Sequence, residues 1–243
     1  MIADDGFFFG LGAFETIAVE RGVPQFLPWH MERMQSASEF LNLPFTRTQI
    51  EREIEKALRA LGANDNRTAL KVTVTQENIL CTCRKNVYGE QDYRRGFRTV
   101  FSKVQRNETS PLTYYKTLNY GDCILEKRNA KQQGFDEPIF LNSRGELAEG
   151  STSNIFFLKG TLLVAPPLSC GMLPGIIRRY IYQTYSVREE IVTPDTISDF
   201  DEMFLTNSLL GIMPVQSLGN HTFYSVNRSL ALCKQLYRTT NTF

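Results

Sequence analysis

Histidine and tryptophan are scarce: the 243 residues hold two histidines and one tryptophan. A Ser/His/Asp triad would have to use His30 or His221, and these read as a helix residue and a solvated turn residue. Charge of either sign is not in excess, since 27 Lys+Arg against 26 Asp+Glu leave a formal net charge of +1. Nothing argues for a nucleic-acid partner or an acidic tail. No apolar run approaches the ~20 residues of a membrane span. The start, Met1-Ile-Ala-Asp-Asp5, lacks the basic and apolar regions of a secretory signal, so a soluble cytoplasmic protein is expected. Five cysteines are an odd number without a secretory context, which does not suit a disulfide framework. Cys81 and Cys83 form a CxC, but no second pair completes four ligands, and no metal is expected. Also missing are G-x-G-x-x-G after a strand, GxxxxGK[ST], H-E-x-x-H and G-x-S-x-G. Dinucleotide and phosphate loops, zincins and the serine-hydrolase elbow are therefore unsupported.

What is present is a globular composition, 42% hydrophobic and 22% charged, with room for one large domain or two modest ones. Residues 14–19, 70–75 and 97–102 read as strands, and Arg21-Gly-Val-Pro24 as a turn. Behind Pro28, the residues Trp29, Met31, Met34, Ala37 and Leu41 run at helical spacing. Thr46-Arg-Thr-Gln49 has the form of a capping box, Ile50, Ile54, Leu58 and Leu61 share a face, and Gly62 closes that helix. The polar run Arg106-Asn-Glu-Thr-Ser-Pro111 is the best linker in the chain. After it, 118–134 and 174–185 read as helices, 139–141, 155–158, 162–164 and 204–206 as strands, and 226–237 as a closing helix. Helices and strands alternate in the first part and strands dominate the second. The pattern is α+β in two lobes: 1–106 a small α/β lobe, 107–111 a linker, 112–243 a larger lobe.

Five segments carry chemistry. Tyr114-Tyr-Lys-Thr-Leu-Asn-Tyr120 sets Lys116 among aromatics, where partial desolvation favours the neutral, nucleophilic amine. Such a lysine also fits a plain packing role. Glu146-Leu-Ala-Glu-Gly-Ser-Thr-Ser-Asn-Ile-Phe156 delivers a carboxylate beside a hydroxyl-rich loop, or is an ordinary hairpin turn. In Cys170-Gly-Met-Leu-Pro-Gly-Ile-Ile-Arg178, Pro-Gly opens a helix with its amide N–H groups turned to an anion. Phe204-Leu-Thr-Asn-Ser-Leu-Leu-Gly-Ile-Met-Pro-Val215 ends a strand in small donors. His30-Met-Glu-Arg33 places one arginine a turn into a helix. A lysine, an isolated acid, an anion cradle and an arginine are together the parts that pyridoxal phosphate needs.

In these segments, and in Asp5-Gly-Phe-Phe-Phe-Gly-Leu-Gly-Ala-Phe-Glu-Thr16, the sequence resembles the class IV, or fold type IV, pyridoxal-phosphate enzymes over nearly its whole length. The resemblance implies a smaller α/β lobe, a larger pseudo-barrel lobe, pyridoxal 5'-phosphate in the cleft they form, and homodimers. It implies Lys116 as the Schiff-base lysine, Arg33 of the H-x-x-R as a phosphate ligand, and Glu149 as the acid facing the pyridine nitrogen. Ile176 and Ile177 match the pair whose backbone N–H groups bind phosphate, and Ser208, with Asn207 beside it, matches a hydroxyl at the phosphate. Tyr120 matches a tyrosine that contacts the ring hydroxyl in some members. The chain begins only a few residues before the Gly-rich segment, so an edge strand found in many members is expected to be missing or short.

Within that family, Lys-Thr-Leu-Asn-Tyr and the segment from Leu205 to Val215 look most like aminodeoxychorismate lyases. These convert 4-amino-4-deoxychorismate to 4-aminobenzoate and pyruvate, a step toward folate. The other expectation is an aminotransferase acting on D-amino or branched-chain amino acids. D-amino-acid transaminases usually carry R-x-H for the substrate carboxylate. The corresponding stretch, Cys81-Thr-Cys-Arg-Lys-Asn-Val-Tyr88, has no histidine, which leaves Arg84 as the candidate substrate ligand.

Overall fold

The computed structural model describes residues 2–60 and 67–239. The helix end read at Leu61–Gly62 lies outside the described residues. The chain divides into two compact units, Met1–Val87 with Tyr115–Tyr120, and Tyr88–Tyr114 with Gly121–Phe243. This differs from the lobes expected at 1–106 and 112–243. Residues 97–101 pair with strands of the second unit, and 115–120 return to the first.

The first unit starts with a short helix, α1 (Asp5–Phe9), capped by the Asp4 carboxylate, which accepts from Gly6 N and Phe7 N. It continues with β1 (Ala13–Glu20), β2 (Val23–Pro24), α2 (Leu27–Phe40), α3 (Arg47–Arg59), β3 (Arg67–Val74) and β4 (Ile79–Lys85). The strands form an antiparallel sheet in the order β2-β1-β3-β4. The β1–β2 turn is made by Arg21 and Gly22, both left-handed, as a two-residue hairpin requires. Alternation decides which face is buried. Ile17, Val19, Leu70, Val72 and Val74 pack on Met31, Met34, Ile50 and Ile54 of the helices. Cys81 and Cys83 join this core, and burial, with Glu53 nearby, pushes the Cys81 thiol up to about 11, so it acts as apolar filler. The capping box expected at Thr46 is not formed: α3 starts on Thr46's carbonyl, which accepts from Gln49 and Ile50, and its hydroxyl makes no cap.

The second unit holds α4 (Glu90–Arg95), β5 (Phe97–Phe101), α5 (Gly121–Gln132), β6 (Glu137–Leu141), β7 (Leu147–Gly150), β8 (Asn154–Lys159) and β9 (Leu162–Ala165). Then come α6 (Ile176–Thr184), β10 (Val187–Glu189), β11 (Glu202–Asn207), β12 (Gly211–Leu218), β13 (His221–Thr222) and α7 (Asn227–Thr239). Strands β8-β11-β12-β5-β6-β7 run in that order, and β7 pairs back onto β8, which closes a six-stranded barrel. Strands β9 and β10 extend it beyond β8, and β13 pairs with β12. Phe140, Phe156, Phe157 and Phe204 are fully buried, and Phe156 stacks on Phe204 at 5.1 Å. The ring closes through one register pair, Glu149↔Asn154. The expected α+β class with a pseudo-barrel is therefore what the chain forms. Helix α5 starts at Gly121 rather than Leu118, because 115–120 are spent along β1. No helix among the described residues is long and apolar enough to cross a membrane.

Candidate active site

In the first unit, the Lys116 segment lies against the start of β1. Phe14 N donates to Lys116 O at 3.0 Å, Leu118 N to Gly12 O at 2.8 Å, and Ala13 bridges Thr117. This close passage explains the Gly-rich start: a Cβ on Gly12 would sit 2.6 Å from Leu118 Cδ1, and Gly10 has a left-handed φ of 71° against Asn119. Lys116 Nζ lies 4.4 Å from the Phe14 ring centre and 5.0 Å from that of Tyr120, and the two rings meet edge to face at 5.2 Å. Phe14 points to the sheet face opposite the helices. On that face β3 supplies Lys71, whose Nζ is 4.8 Å from the same Phe14 ring, and β4 supplies Thr82 and Arg84. Burial, then the Arg84 charge, lowers the Lys71 pKa.

The other face of β1 carries a buried charge cluster. Glu15 is only 1% exposed; Arg33 donates to it through Nε and Nη2, both at 2.7 Å, and His30 Nδ1 lies 2.6 Å from Oε2. Burial alone would raise the Glu15 pKa, but the Arg33 guanidinium and His30 overcome it and hold the carboxyl down at about 2. Burial lowers the His30 pKa against the pull of Glu15, with Arg33 and Lys116 adding to the lowering. A neutral His30 donating Nδ1–H to an ionised Glu15 satisfies both. Each shift makes the unfolded chain bind more protons than the folded one. The stabilisation from Glu15, about 3 kcal/mol, is present above pH ~4.5 and lost as pH falls toward 2, while the His30 contribution falls below pH ~6.5. Urea midpoints at pH 7, 5 and 3 should therefore fall more steeply for the wild type than for Glu15→Gln; parallel curves would contradict this account.

In the second unit, Glu149 sits in β7 at the barrel seam and is 4% exposed. Its Oε1 accepts from Arg106 Nη2 at 2.5 Å and its Oε2 from Leu173 N at 3.1 Å. The loop that follows is held by Glu137, buried in β6, which accepts from Ser151 Oγ, Thr152 N and Ser153 Oγ at 3.0 Å each and pairs with Lys127. Asn154 Nδ2 donates to Leu173 O at 2.8 Å, and a Cβ at Gly175 would run into Asn154 Oδ1. No side chain caps α6 at Gly175, so its first-turn N–H groups, including those of Ile176 and Ile177, have no side-chain acceptor there. Asn207 Oδ1 accepts from Leu209 N and Leu210 N, and its Nδ2 donates to Thr152 O. The Asn207 amide thus shapes the turn that carries Ser208.

The first unit brings Lys116 and Tyr120 into contact and holds Arg33, while Arg84 shares a face with Phe14. The second holds Glu149, Ile176, Ile177, Asn207 and Ser208. Sequence reasoning missed Glu15, Lys71, Arg106 and Glu137. Lys71 had a readable signal, a lysine alternating with Leu70 and Val72 on the strand next to the Phe-Glu-Thr strand. Arg106 offers none, because its polar run has the composition of a linker.

The amino-transferase class IV family matches residues 12–218, and the chain belongs to that family. It is 27% identical to the aminodeoxychorismate lyase of Bacillus subtilis over 230 residues, 87% of this chain and 78% of that one. It is 31% identical to a branched-chain-amino-acid aminotransferase of Salmonella typhimurium over 214 residues, 78% of this chain and 69% of that one. The branched-chain aminotransferase structure from Thermoproteus uzoniensis has the same fold, with a TM-score of 0.85 at 21% identity, covering 97% of this chain and 87% of that chain. The chain is thus a pyridoxal-phosphate-dependent enzyme. Its residues fit that cofactor: an amine against aromatic rings for an aldehyde, a buried carboxylate for a pyridine nitrogen, and an uncapped helix start closed to any side chain at Gly175 for a phosphate.

Proposed function

We propose that this enzyme is an aminodeoxychorismate lyase, converting 4-amino-4-deoxychorismate to 4-aminobenzoate and pyruvate in folate precursor synthesis. The observation that carries this reading is the pair Lys71 and Arg84, two cations on the sheet face of Phe14. The substrate has two carboxylates, one on the ring and one on the enolpyruvyl group, whereas branched-chain amino acids have one and an apolar side chain. The similarity to the Bacillus subtilis lyase supports the same reading. The aminotransferase reading stays the alternative because of the similarity to the Salmonella typhimurium enzyme.

In this assignment Lys116 holds the cofactor, and Tyr120 contacts its ring hydroxyl. Arg33, the N–H groups of Ile176 and Ile177, and Ser208 bind its phosphate, with Asn207 shaping the turn. The cofactor supplies a sink for the electrons left when a proton leaves the carbon bearing nitrogen. With the cofactor bound, the Lys116 amine would be the base that takes that proton. Glu149 keeps a proton at the pyridine nitrogen by a charge-assisted hydrogen bond. The enolpyruvyl C–O bond breaks, the departing enolpyruvate takes up a proton, and the ring becomes aromatic. Atoms balance without water or a second substrate. The same reading makes the protein a cytoplasmic homodimer, and light scattering at assay concentration would check the dimer.

The deciding assay offers aminodeoxychorismate and, separately, D- and L-amino acids with 2-oxoglutarate. Release of 4-aminobenzoate and pyruvate is the expected result, and keto acid from the amino acids alone would refute it. Lys71→Ala and Arg84→Ala should each raise KM for aminodeoxychorismate about ten- to a hundredfold, the worth of one charged hydrogen bond, with a smaller effect on kcat. An unchanged KM in both variants would remove the dicarboxylate argument.

A further inference from the structure

Arg106 falls in the polar run that has the composition of a linker, yet it is built into the barrel wall. Its backbone N–H donates to Leu141 O at 2.8 Å, and it bridges Asn142. The guanidinium carbon lies 5.7 Å from the Phe140 ring centre, and Nη1 lies 3.5 Å from Cys123 Sγ. Its Nη2 reaches Glu149 Oε1, and both side chains are largely buried, 15% and 5% exposed. The other acid on the adjoining strand, Glu137, has its own cation in Lys127, so Arg106 is not drawn toward it.

A buried carboxylate with no cation takes up a proton rather than stay charged. A protonated Glu149 would have to offer its O–H to a ring nitrogen instead of accepting from it. A carboxylate oxygen that already accepts from Arg106 still has a second lone pair for another donor. We propose that Arg106 is a positioning residue: it keeps Glu149 ionised and aims its carboxylate so that Glu149 can hold a proton at the cofactor's pyridine nitrogen. This rests on the assignment of Glu149 made above. The backbone N–H of Leu173 on Oε2 fixes the second oxygen, so the carboxylate plane is set from two sides.

The test uses Arg106→Gln, which keeps an N–H donor but loses the charge, and Arg106→Lys, which restores it. In the unloaded protein at neutral pH, infrared difference spectra of Arg106→Gln should show the carbonyl stretch of a protonated carboxylic acid. That band should vanish in Arg106→Gln/Glu149→Gln and be absent in Arg106→Lys. In the loaded enzyme, Arg106→Gln should lower kcat about ten- to a hundredfold, since a buried carboxyl with no cation stays largely protonated at neutral pH, and Arg106→Lys should recover most of it. Absence of the band in a folded Arg106→Gln protein, or kcat equally low in Arg106→Gln and Arg106→Lys, overturns the proposal. If Arg106→Gln does not fold, a protonated-carboxyl band in Arg106→Lys overturns it, and its absence with kcat within a few-fold of wild type supports it. If the band behaves as expected but Glu149→Gln turns over at the wild-type rate, the assignment of Glu149 fails while the ionisation by Arg106 stands.

Discussion

Lys116→Ala should lower turnover by about 10³-fold or more and abolish borohydride fixation of the cofactor to the protein. Proton transfer by a positioned side chain contributes roughly 10²–10⁴-fold by itself, and in the proposed assignment the same amine also carries the cofactor. The fold should survive the change. The segment is held on β1 by backbone bonds from Phe14 N to Lys116 O and from Leu118 N to Gly12 O, and by the Phe14–Tyr120 ring contact, none of which uses the Lys116 side chain. Among the contacts the variant loses is that of the Lys116 amino group with the Phe14 and Tyr120 rings, worth about 0.5–2 kcal/mol. Lys71 is a built-in rival, because its Nζ lies over the same Phe14 ring. A cofactor adduct that persists in Lys116→Ala and disappears in Lys116→Ala/Lys71→Ala would move the carrier role to Lys71 and sink the assignment.

The strands of the first unit were legible because their alternation is local. Leu70, Val72 and Val74 on one side, with Lys71 and Thr73 on the other, need no partner to be read. Strand β4 carries the same signal, since Leu80, Thr82 and Arg84 alternate with Cys81 and Cys83. The CxC lacks the second pair that a metal site needs, and the structure uses both thiols as core. Strand β12 was hidden by Pro214, which disfavours a central strand. The ladder to β5 begins one residue later, at Val215↔Phe97. The division into units was not legible either. Parallel pairing of β5 with β12 and β6 joins residues whose partners no local pattern specifies. Glu15 shows the same limit. It shares the core face with Ile17 and Val19, where an acid looks like a break in the pattern, and only the three-residue spacing of His30 and Arg33 on α2 explains its burial. The candidate site was read as chemistry of single side chains. What that reading could not supply were the partners that set their state: Glu15 for Arg33, Arg106 for Glu149, Glu137 for the Ser-Thr-Ser loop.

Arg33→Ala should weaken cofactor binding about ten- to a hundredfold, the worth of one charge-assisted hydrogen bond to a phosphate. It should also destabilise the first unit by about 3–5 kcal/mol, because removing one partner leaves Glu15 buried without its main cation, and holding the charge there or taking up a proton both cost stability. The two effects have different causes and separate in a cycle. The fork to Glu15 uses Nε and Nη2 and fixes the guanidinium plane, so Glu15 orients the group proposed to meet the phosphate. Glu15→Gln alone keeps the arginine but loosens that plane, and it should weaken cofactor binding less than Arg33→Ala does. In Arg33→Ala/Glu15→Gln the uncompensated carboxylate is gone, so much of the stability should return while the affinity stays low. Melting curves of the unloaded proteins read the first effect, and cofactor titration at a temperature where every variant is folded reads the second. Wild-type affinity in the folded double variant would leave Arg33 as a structural partner of Glu15 and nothing more. Affinity that recovers in step with stability would say the same, since the loss in Arg33→Ala would then have come from a damaged fold rather than from a missing phosphate ligand.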